Sequence, residues 1–261
     1  MRYGWLVVAA VVSVSSTVMA DPPQVHPAPA LRHLTIGVED QAYLPAYAYE
    51  KGQYHGAVAD IFAAFAKDEG YEITYKPLPI RRLYVEVFRG DVDLKFPDSP
   101  DWMPELRSHY TVTYSNPIIR YVDGVMVRPA MKDAPVDQIK SLGTVQGFTL
   151  MSELRARVDA GQCELRENPR FDQLLRQVIV GRVDGAYASV AGAHYVLSHD
   201  LGQPNGLVYD SKLPHRTGAY LLSSVSHPEV VAAFNDWMGR NHSAVAAILK
   251  KWDAEAGVDG P

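Results

Sequence analysis

The first third of the chain alternates short apolar runs with amphipathic segments. Residues 34–40, 71–77 and 91–96 are short runs with the composition of strands. Two series of apolar residues at helical spacing separate these runs, and the series end at Gly70 and Gly90. The order strand, helix, strand, helix, strand predicts a parallel sheet with helices packed on it.

The carboxyl ends of parallel strands are where ligands gather in sheets of this kind. In this chain a loop at 40–49 follows the first predicted strand, and the segment 97–102 follows the third. The first loop contains Tyr43, Tyr47 and Tyr49, and a tyrosine offers a ligand both an apolar ring and a hydroxyl group. We therefore expect a binding site at this edge of the sheet, with Tyr43 and Tyr47 as candidate wall residues.

A second alternating series follows an extended apolar segment at 119–129. Residues 142–147 form a predicted strand, and a helix is predicted to begin near Thr149. A further helix ends at Gly181 and leads into a strand at 183–188. This order of helix, glycine and strand repeats the order in the first series, which suggests two lobes of related architecture.

The last section of the chain contains two amphipathic stretches. Apolar residues recur at helical spacing between 230 and 237 and again between 245 and 252. We predict two helices here, with both apolar stripes facing the core.

The N-terminus has the layout of a secretory signal peptide. Arg2 precedes a short apolar stretch at 5–12, and the small residue Ala20 ends the segment. The apolar stretch is too short to span a bilayer. We predict cleavage after Ala20, followed by a proline-rich lead-in at 21–31. Because no cysteine stands at the cleavage site, we expect no lipid anchor and a location in the periplasm of a Gram-negative cell.

Composition narrows the possible partners. The formal net charge is −5, with acidic and basic residues interspersed, which speaks against nucleic acid or an anionic membrane surface as the partner. Cys163 is the only cysteine, so no intramolecular disulfide can form. The histidines show no metal-ligand spacing, and no phosphate loop is present. We expect a monomer without a cofactor or metal.

A series of short segments in a fixed order carries a resemblance to a known family. The segments are VED before Tyr-Leu-Pro, PIRRL before RGDVD, YSNP, LGTVQG, GRVDG, FNDWM and ILKKW. Over residues 32–253 this order resembles the family 3 extracellular solute-binding proteins, the polar amino-acid receptors of ABC importers. The resemblance implies an α/β type II periplasmic-binding-protein fold. In that fold two lobes each contain a central, mostly parallel sheet flanked by helices, and the ligand binds in the cleft between them.

The resemblance also implies how the chain divides. Lobe 1 would comprise residues 32–119 and 217–261, and lobe 2 would comprise residues 120–216 with hinge strands at its ends. Closure of the two lobes about the hinge would be the working step.

Three predictions about the site follow from the resemblance. Arg107 takes the place of the arginine that grips a ligand carboxylate through two parallel hydrogen bonds. Gly147, Phe148 and Thr149 match a turn before a second-lobe helix, where free amide groups can hold an anion or Thr149 can cap the helix. Ser189 stands where the family places its ammonium-binding aspartate, and a hydroxyl group cannot replace that charge. An ordinary α-amino acid is therefore not the expected ligand, unless another acid such as Asp98 or Asp40 approaches from the first lobe.

The segment KFPDSPDW adds candidates of its own. It places Lys95, Asp98 and Trp102 near the expected cleft. A lysine within an apolar strand is costly to bury unless it is paired, so Lys95 either binds a ligand, faces outward or pairs internally with Asp98. Arg82 points either to the cleft or to solvent from its predicted helix.

These features predict a non-enzymatic binding protein for a small polar or zwitterionic solute that carries an anionic group. Its partner would be the membrane permease of an ABC importer. One alternative is a sensor subunit that reports the ligand to a membrane receptor. Another alternative is an enzyme similar to cyclohexadienyl dehydratase, with Asp98 or Glu105 as general acid.

Overall fold

A computed structural model describes residue 1 and residues 31–258. The predicted signal peptide and lead-in therefore lie outside the described residues, apart from Met1 and Leu31. The helices are α1 (Ala57–Glu69), α2 (Ile80–Arg89), α3 (Pro104–Arg107), α4 (Ser152–Asp159), α5 (Phe171–Ile179), α6 (Val190–Tyr195), α7 (Pro228–Arg240) and α8 (His242–Trp252). A π-helical turn, Val196–Asp200, follows α6.

The strands belong to one large sheet and one small one. They are β1 (Arg32–Glu39), β2 (Ala42–Tyr43), β3 (Tyr47–Glu50), β4 (Gln53–His55), β5 (Tyr71–Leu78), β6 (Leu94–Asp98), β7 (Thr113–Tyr114), β8 (Ile119–Val127), β9 (Ser141–Val145), β10 (Glu164–Asn168), β11 (Gly185–Ser189), β12 (Val208–Tyr209) and β13 (Arg216–Ser224).

The large sheet has the order β10-β9-β11-β8-β13-β6-β1-β5, with β12 added to β8 and β7 added to β13. Strand β1 is parallel to both β5 and β6, which confirms the parallel arrangement predicted for the first series. Strand β9 is likewise parallel to β10 and β11. The long strands β8 and β13 are antiparallel to each other and join the two parallel groups.

Local sequence explains why α1 forms where it does. Gly56 precedes the helix with φ of 112°, and Gly70 ends it in the left-handed conformation, which glycine adopts at little cost. The buried face carries Ile61, Phe62 and Phe65, as the apolar spacing predicts.

The helices α7 and α8 close the core on the same side. Phe234 and Trp237 of α7 are buried, and the indole of Trp237 donates a hydrogen bond of 2.9 Å to Asp68 of α1. In α8, Val245 is buried and Trp252 is partly buried. The prediction of two core-facing stripes is confirmed.

Two local predictions were wrong. The tyrosine-rich segment after β1 is not an open loop, because β2, β3 and β4 pair as a small antiparallel sheet. The helix predicted to begin near Thr149 begins at Ser152, because Leu150 and Met151 are buried in extended backbone before it.

Residues from Leu31 onward form one compact unit. The proposed boundaries of two lobes within it stay a prediction. Within residues 31–258, no helix has both the length and the apolar character that a membrane span requires.

Candidate functional site

A cleft lies at the carboxyl ends of the central strands, where the topology places ligand sites. It contains about 410 Å³ of empty space, including the part open to solvent. Its walls come from β1, β3, α2, the segment before α3, β8, β13 and the turn after β9. The lining residues are Glu39, Tyr47, Ile80, Tyr84, Trp102, Met103, Asp123, Gly147, Phe148, Thr149 and Tyr220.

Glu39 is the last residue of β1 and is only 3% exposed. The hydroxyl group of Tyr47 donates a hydrogen bond of 2.6 Å to Oε2 of Glu39. Burial raises the pKa of Glu39 to about 7, although Lys95 and Tyr47 act in the opposite direction. The carboxyl group is therefore poised to gain or lose a proton near neutral pH.

Asp123 lies in the middle of β8 and faces the cleft from another wall. Its backbone is opposite Arg216 of β13 on one side and Ser189 of β11 on the other. Burial raises the pKa of Asp123 to about 7, and Arg216 opposes this effect. Arg216 itself pairs with Asp101 at 2.5 Å, and within the described part of the chain no group donates a hydrogen bond to the Asp123 carboxylate.

Aromatic rings form much of the remaining wall. The ring of Tyr220 lies 6.1 Å from that of Tyr47 and 6.0 Å from that of Trp102, measured between centroids. Tyr84 and Phe148 add two more aromatic side chains. Such a lining suits a small organic ligand with an apolar or cationic surface.

A buried ionic network lies behind Tyr84. Lys95 is fully buried, and its Nζ lies 3.3 Å from Oδ1 of Asp98 and 4.3 Å from the centre of the Tyr84 ring. Arg107 approaches the same Asp98 oxygen at 2.9 Å, and Ser223 donates to the other oxygen at 2.6 Å. The internal pairing of Lys95 with Asp98, one of the three readings of the sequence, is thus present.

The network favours the ionised form of Asp98. Burial raises the pKa of Asp98, but Lys95 and Arg107 together outweigh this effect and hold that pKa below its usual value. Burial lowers the pKa of Lys95, against the attraction of Asp98 and Glu39. Neither Lys95 nor Asp98 is part of the cleft lining.

Arg107 also lies outside the lining. Its guanidinium group donates hydrogen bonds to Asp98, to the hydroxyl group of Tyr114 and, at 3.2 Å, to that of Tyr84. Its Nε has no acceptor among residues 31–258. A role for Arg107 in ligand binding stays a prediction.

Some of the remaining site residues predicted from sequence line the cleft, and others do not. Arg82 is exposed on α2 and pairs with Glu86 at 2.7 Å. Ser189 accepts a hydrogen bond of 3.3 Å from the amide of Gly192 and so caps α6. Tyr43 is buried beside the cleft and accepts a hydrogen bond of 2.9 Å from the amide of Ser189. The structure brings Tyr47, Trp102, Gly147, Phe148 and Thr149 together at the cleft.

The turn after β9 has fewer free amide groups than the sequence suggests. The amide of Gly147 donates to Glu167 at 3.3 Å, and that of Phe148 donates to the carbonyl oxygen of Val145 at 3.0 Å. Thr149 does not cap α4, which begins three residues later at Ser152. Thr149 Oγ1 instead accepts a hydrogen bond of 3.4 Å from the amide of Met103.

Sequence reasoning missed six lining residues: Glu39, Ile80, Tyr84, Met103, Asp123 and Tyr220. A usable signal existed for Asp123, because it interrupts the apolar run IRYVDGVMV. An unpaired carboxylate in such a strand is as costly as the lysine that drew attention to Lys95. Within residues 31–258, no group of three histidine, cysteine, aspartate or glutamate side chains is arranged to hold a metal ion.

Comparisons with known proteins connect this architecture to solved structures. No protein-family model and no curated protein matches the sequence. An ABC uptake transporter substrate-binding protein from Streptococcus pneumoniae with bound histidine is similar in structure, with a TM-score of 0.68 at 20% identity. The similarity covers 86% of this chain and 94% of that one.

Two further structures are similar to the same extent. A histidine kinase sensor domain with similarity to periplasmic binding proteins has a TM-score of 0.69 at 18% identity, over 85% of this chain and 96% of that one. An ancestral amino acid-binding protein that is a precursor of cyclohexadienyl dehydratase has a TM-score of 0.66 at 19% identity, over 84% of this chain and 94% of that one. At these identities the likeness concerns the fold, and the chain has the α/β fold of the type II periplasmic-binding proteins.

Proposed function

We propose that the protein is a periplasmic receptor that binds a small polar or zwitterionic solute in the cleft. The observation that carries this proposal is the lining itself. Side chains from both parallel groups of the sheet converge on one cavity, with aromatic rings around two carboxyl groups. A few polar groups within an apolar wall are what a small-molecule site requires.

The topology supports a mechanism of closure. Strands β8 and β13 are long, lie side by side and connect the two parallel groups. Rotation of the groups about these strands would open the cleft for a ligand and close it again. The ligand would favour the closed form because only that form contacts it from both sides.

An amino-acid-like ligand is the class that we propose for the cleft. The similar structures include proteins that bind histidine and amino acids. The anionic group predicted for the ligand would rely on Arg107, which would have to exchange part of its present hydrogen bonding for the ligand.

Delivery to the permease of an ABC importer is the role we propose for the closed form. A substrate-binding protein of an ABC uptake transporter is similar in structure and supports this role. A sensor role is the second candidate, since a histidine kinase sensor domain is equally similar. Reconstitution with a candidate permease separates the two, because only the importer role predicts ligand-dependent stimulation of ATP hydrolysis.

The two general acids that the sequence suggested are not suited to a catalytic role. Asp98 is held in its charged form by ion pairs, and Glu105 is exposed on α3, so neither is suited to donate a proton in the cleft. Incubation with a prephenate-like acid tests this directly. We expect no product, and elimination of water and carbon dioxide from that acid would establish an enzyme instead.

Binding is tested by the melting temperature of the protein from Asp21 onward, after unfolding and refolding to remove any bound ligand. A ligand at about a hundred times its dissociation constant adds roughly 2.7 kcal/mol of stability. We expect a clear increase with one class among amino acids, amines, sugars and dicarboxylates. No increase with any class would contradict the proposed function.

A further inference from the structure

We propose that the solute carries a positively charged nitrogen, which is held between the carboxylates of Glu39 and Asp123 and against the aromatic wall of the cleft. This inference rests on the proposed function and names the chemical class of its ligand. It differs from the expectation drawn from sequence, which rested on Arg107 and the Gly147–Thr149 turn as anion contacts.

The charge of the lining is the first argument. Glu39 and Asp123 are the acidic members of the lining, and its other members are aromatic, aliphatic, methionine, glycine and threonine residues. No lysine, arginine or histidine contributes to the wall among the residues that the structure describes. A ligand cation would therefore meet negative charge from two walls.

The nearby cations do not balance these two acids. Lys95 and Arg107 share Asp98, and Arg216 pairs with Asp101. With Glu39 and Asp123 ionised, the region contains three positive and four negative groups. One negative charge is left over, and a ligand with a net positive charge would compensate it.

The hydrogen bonds lead to the same conclusion. Tyr47 donates to Oε2 of Glu39, and no described residue donates to Oε1. The Asp123 carboxylate likewise has no donor in the part of the chain that the structure covers. Ammonium and guanidinium groups carry only donors, so they match these free acceptors.

The aromatic wall is a further argument for a cationic ligand. Faces of tyrosine and tryptophan rings attract cations, and Tyr47, Tyr84, Trp102 and Tyr220 all line the cleft. Lys95, which is not part of the cleft lining, already makes such a contact, with its Nζ above the ring of Tyr84. A neutral solute would gain the apolar contact without this electrostatic attraction.

Release of protons on binding is expected from the same geometry. Burial raises the pKa of both Glu39 and Asp123 to about 7, so each can bind a proton near neutral pH before ligand binds. Other ionisable groups face them: Tyr47, Tyr54, Tyr84, Lys95 and Asp98 around Glu39, and Tyr43, Tyr121, Tyr187, Arg216 and Tyr220 around Asp123. The phenols have raised pKa values and stay neutral. A bound cation would favour both ionised carboxylates and release protons.

The experiment compares ligands that differ only in the charged nitrogen. The pairs are putrescine and 1,4-butanediol, and choline and 3,3-dimethylbutanol, with succinate as an anion. We expect at least one cationic member to raise the melting temperature while its neutral partner does not. Titration calorimetry in two buffers of different ionisation enthalpy should then show net release of protons on binding at pH 7. Affinity should fall as the pH decreases below 7.

Two variants locate the contact. Glu39→Gln and Asp123→Asn should each weaken binding of the cation at least tenfold, whereas Glu105→Gln, at an exposed position on α3, should leave it unchanged. The melting temperature of each variant without ligand shows that it is folded. Equal affinity in all three variants would overturn the inference.

The outcomes also separate this inference from the proposed function. If butanediol, dimethylbutanol or succinate binds and no cation does, the inference is wrong and the receptor function stands. If no compound of any charge binds, both are wrong.

Discussion

The buried carboxyl group of Glu39 makes the stability of the unliganded protein depend on pH in an unusual direction. Its pKa rises from the usual 4.5 to about 7 on folding, so the folded chain binds more protons than the unfolded chain between these values. The contribution of Glu39 to stability is therefore most favourable at low pH and becomes less favourable as the pH rises through this window. Replacing Glu39 with glutamine removes the ionisation and retains an oxygen that can accept from Tyr47.

The size of the effect follows from the linkage relation. Relative to low pH, the raised pKa of Glu39 destabilises the folded state by about 3 kcal/mol at pH 8, where the buried carboxyl group is ionised. At pH 5 the buried group is still protonated, and ionisation of Glu39 in the unfolded chain costs the folded state about 1 kcal/mol, since each pKa unit corresponds to about 1.4 kcal/mol. Relative to the wild type, Glu39→Gln should therefore be more stable at pH 8 than at pH 5 by about 2 kcal/mol. For a domain of this size that difference corresponds to roughly 4–8 °C in melting temperature.

The assay is a set of four melting curves, wild type and variant at pH 5 and pH 8, without ligand. Effects of the substitution that do not depend on pH cancel when the two differences are compared. Glu105→Gln provides the control, because its side chain is exposed and its replacement should give the same small difference at both pH values. A difference for Glu39→Gln that is equal at the two pH values, or larger at pH 5, would refute the reasoning.

Four further substitutions test other parts of the structure. Lys95→Met should lower the free energy of unfolding in urea by about 3 kcal/mol or more, because Asp98 loses a buried positive partner; a loss below 1 kcal/mol would contradict the buried pair. Gly147→Ala and Gly161→Ala both place a side chain at a positive φ, of 88° and 68°, and each should cost about 1 kcal/mol in a thermal melt. Only Gly147→Ala should also weaken ligand binding in calorimetry, since its Cβ would lie 3.2 Å from a side chain of α2 across the cleft, whereas Gly161 has open space. Ser189→Ala should cost about 1 kcal/mol in the same melt by removing the cap of α6, and an unchanged melting temperature would show that the cap contributes nothing.

Local patterns were sufficient to predict α1 and the parallel strands. Gly56 precedes α1 and Gly70 ends it, and the apolar residues between them recur at regular helical spacing. These start, stop and spacing signals each depend on only a few neighbouring residues. The start of α4 was misplaced because Thr149 is a good capping residue by local rules. Packing of Leu150 and Met151 into the core overrides that preference.

The cleft was harder to predict because its walls come from distant parts of the chain. Asp123 is placed by the pairing of β8 with β13, whose residues lie about a hundred positions further on, and a single sequence contains no record of that pairing. Glu39 is placed by the register of β1 between β5 and β6. Arg107 was predicted as an anion contact from its neighbourhood, but sequence could not show that Asp98 would come within 2.9 Å of it.

Calorimetric titration of the refolded protein with the matched cationic and neutral compounds tests the central claim most directly, which is that the cleft binds a small solute. The account predicts that one compound binds with a stoichiometry of one, and that Asp123→Asn in the cleft wall weakens this binding at least tenfold. Binding that is unaffected by changes at both Asp123 and Glu39, or no binding of any compound, would contradict it.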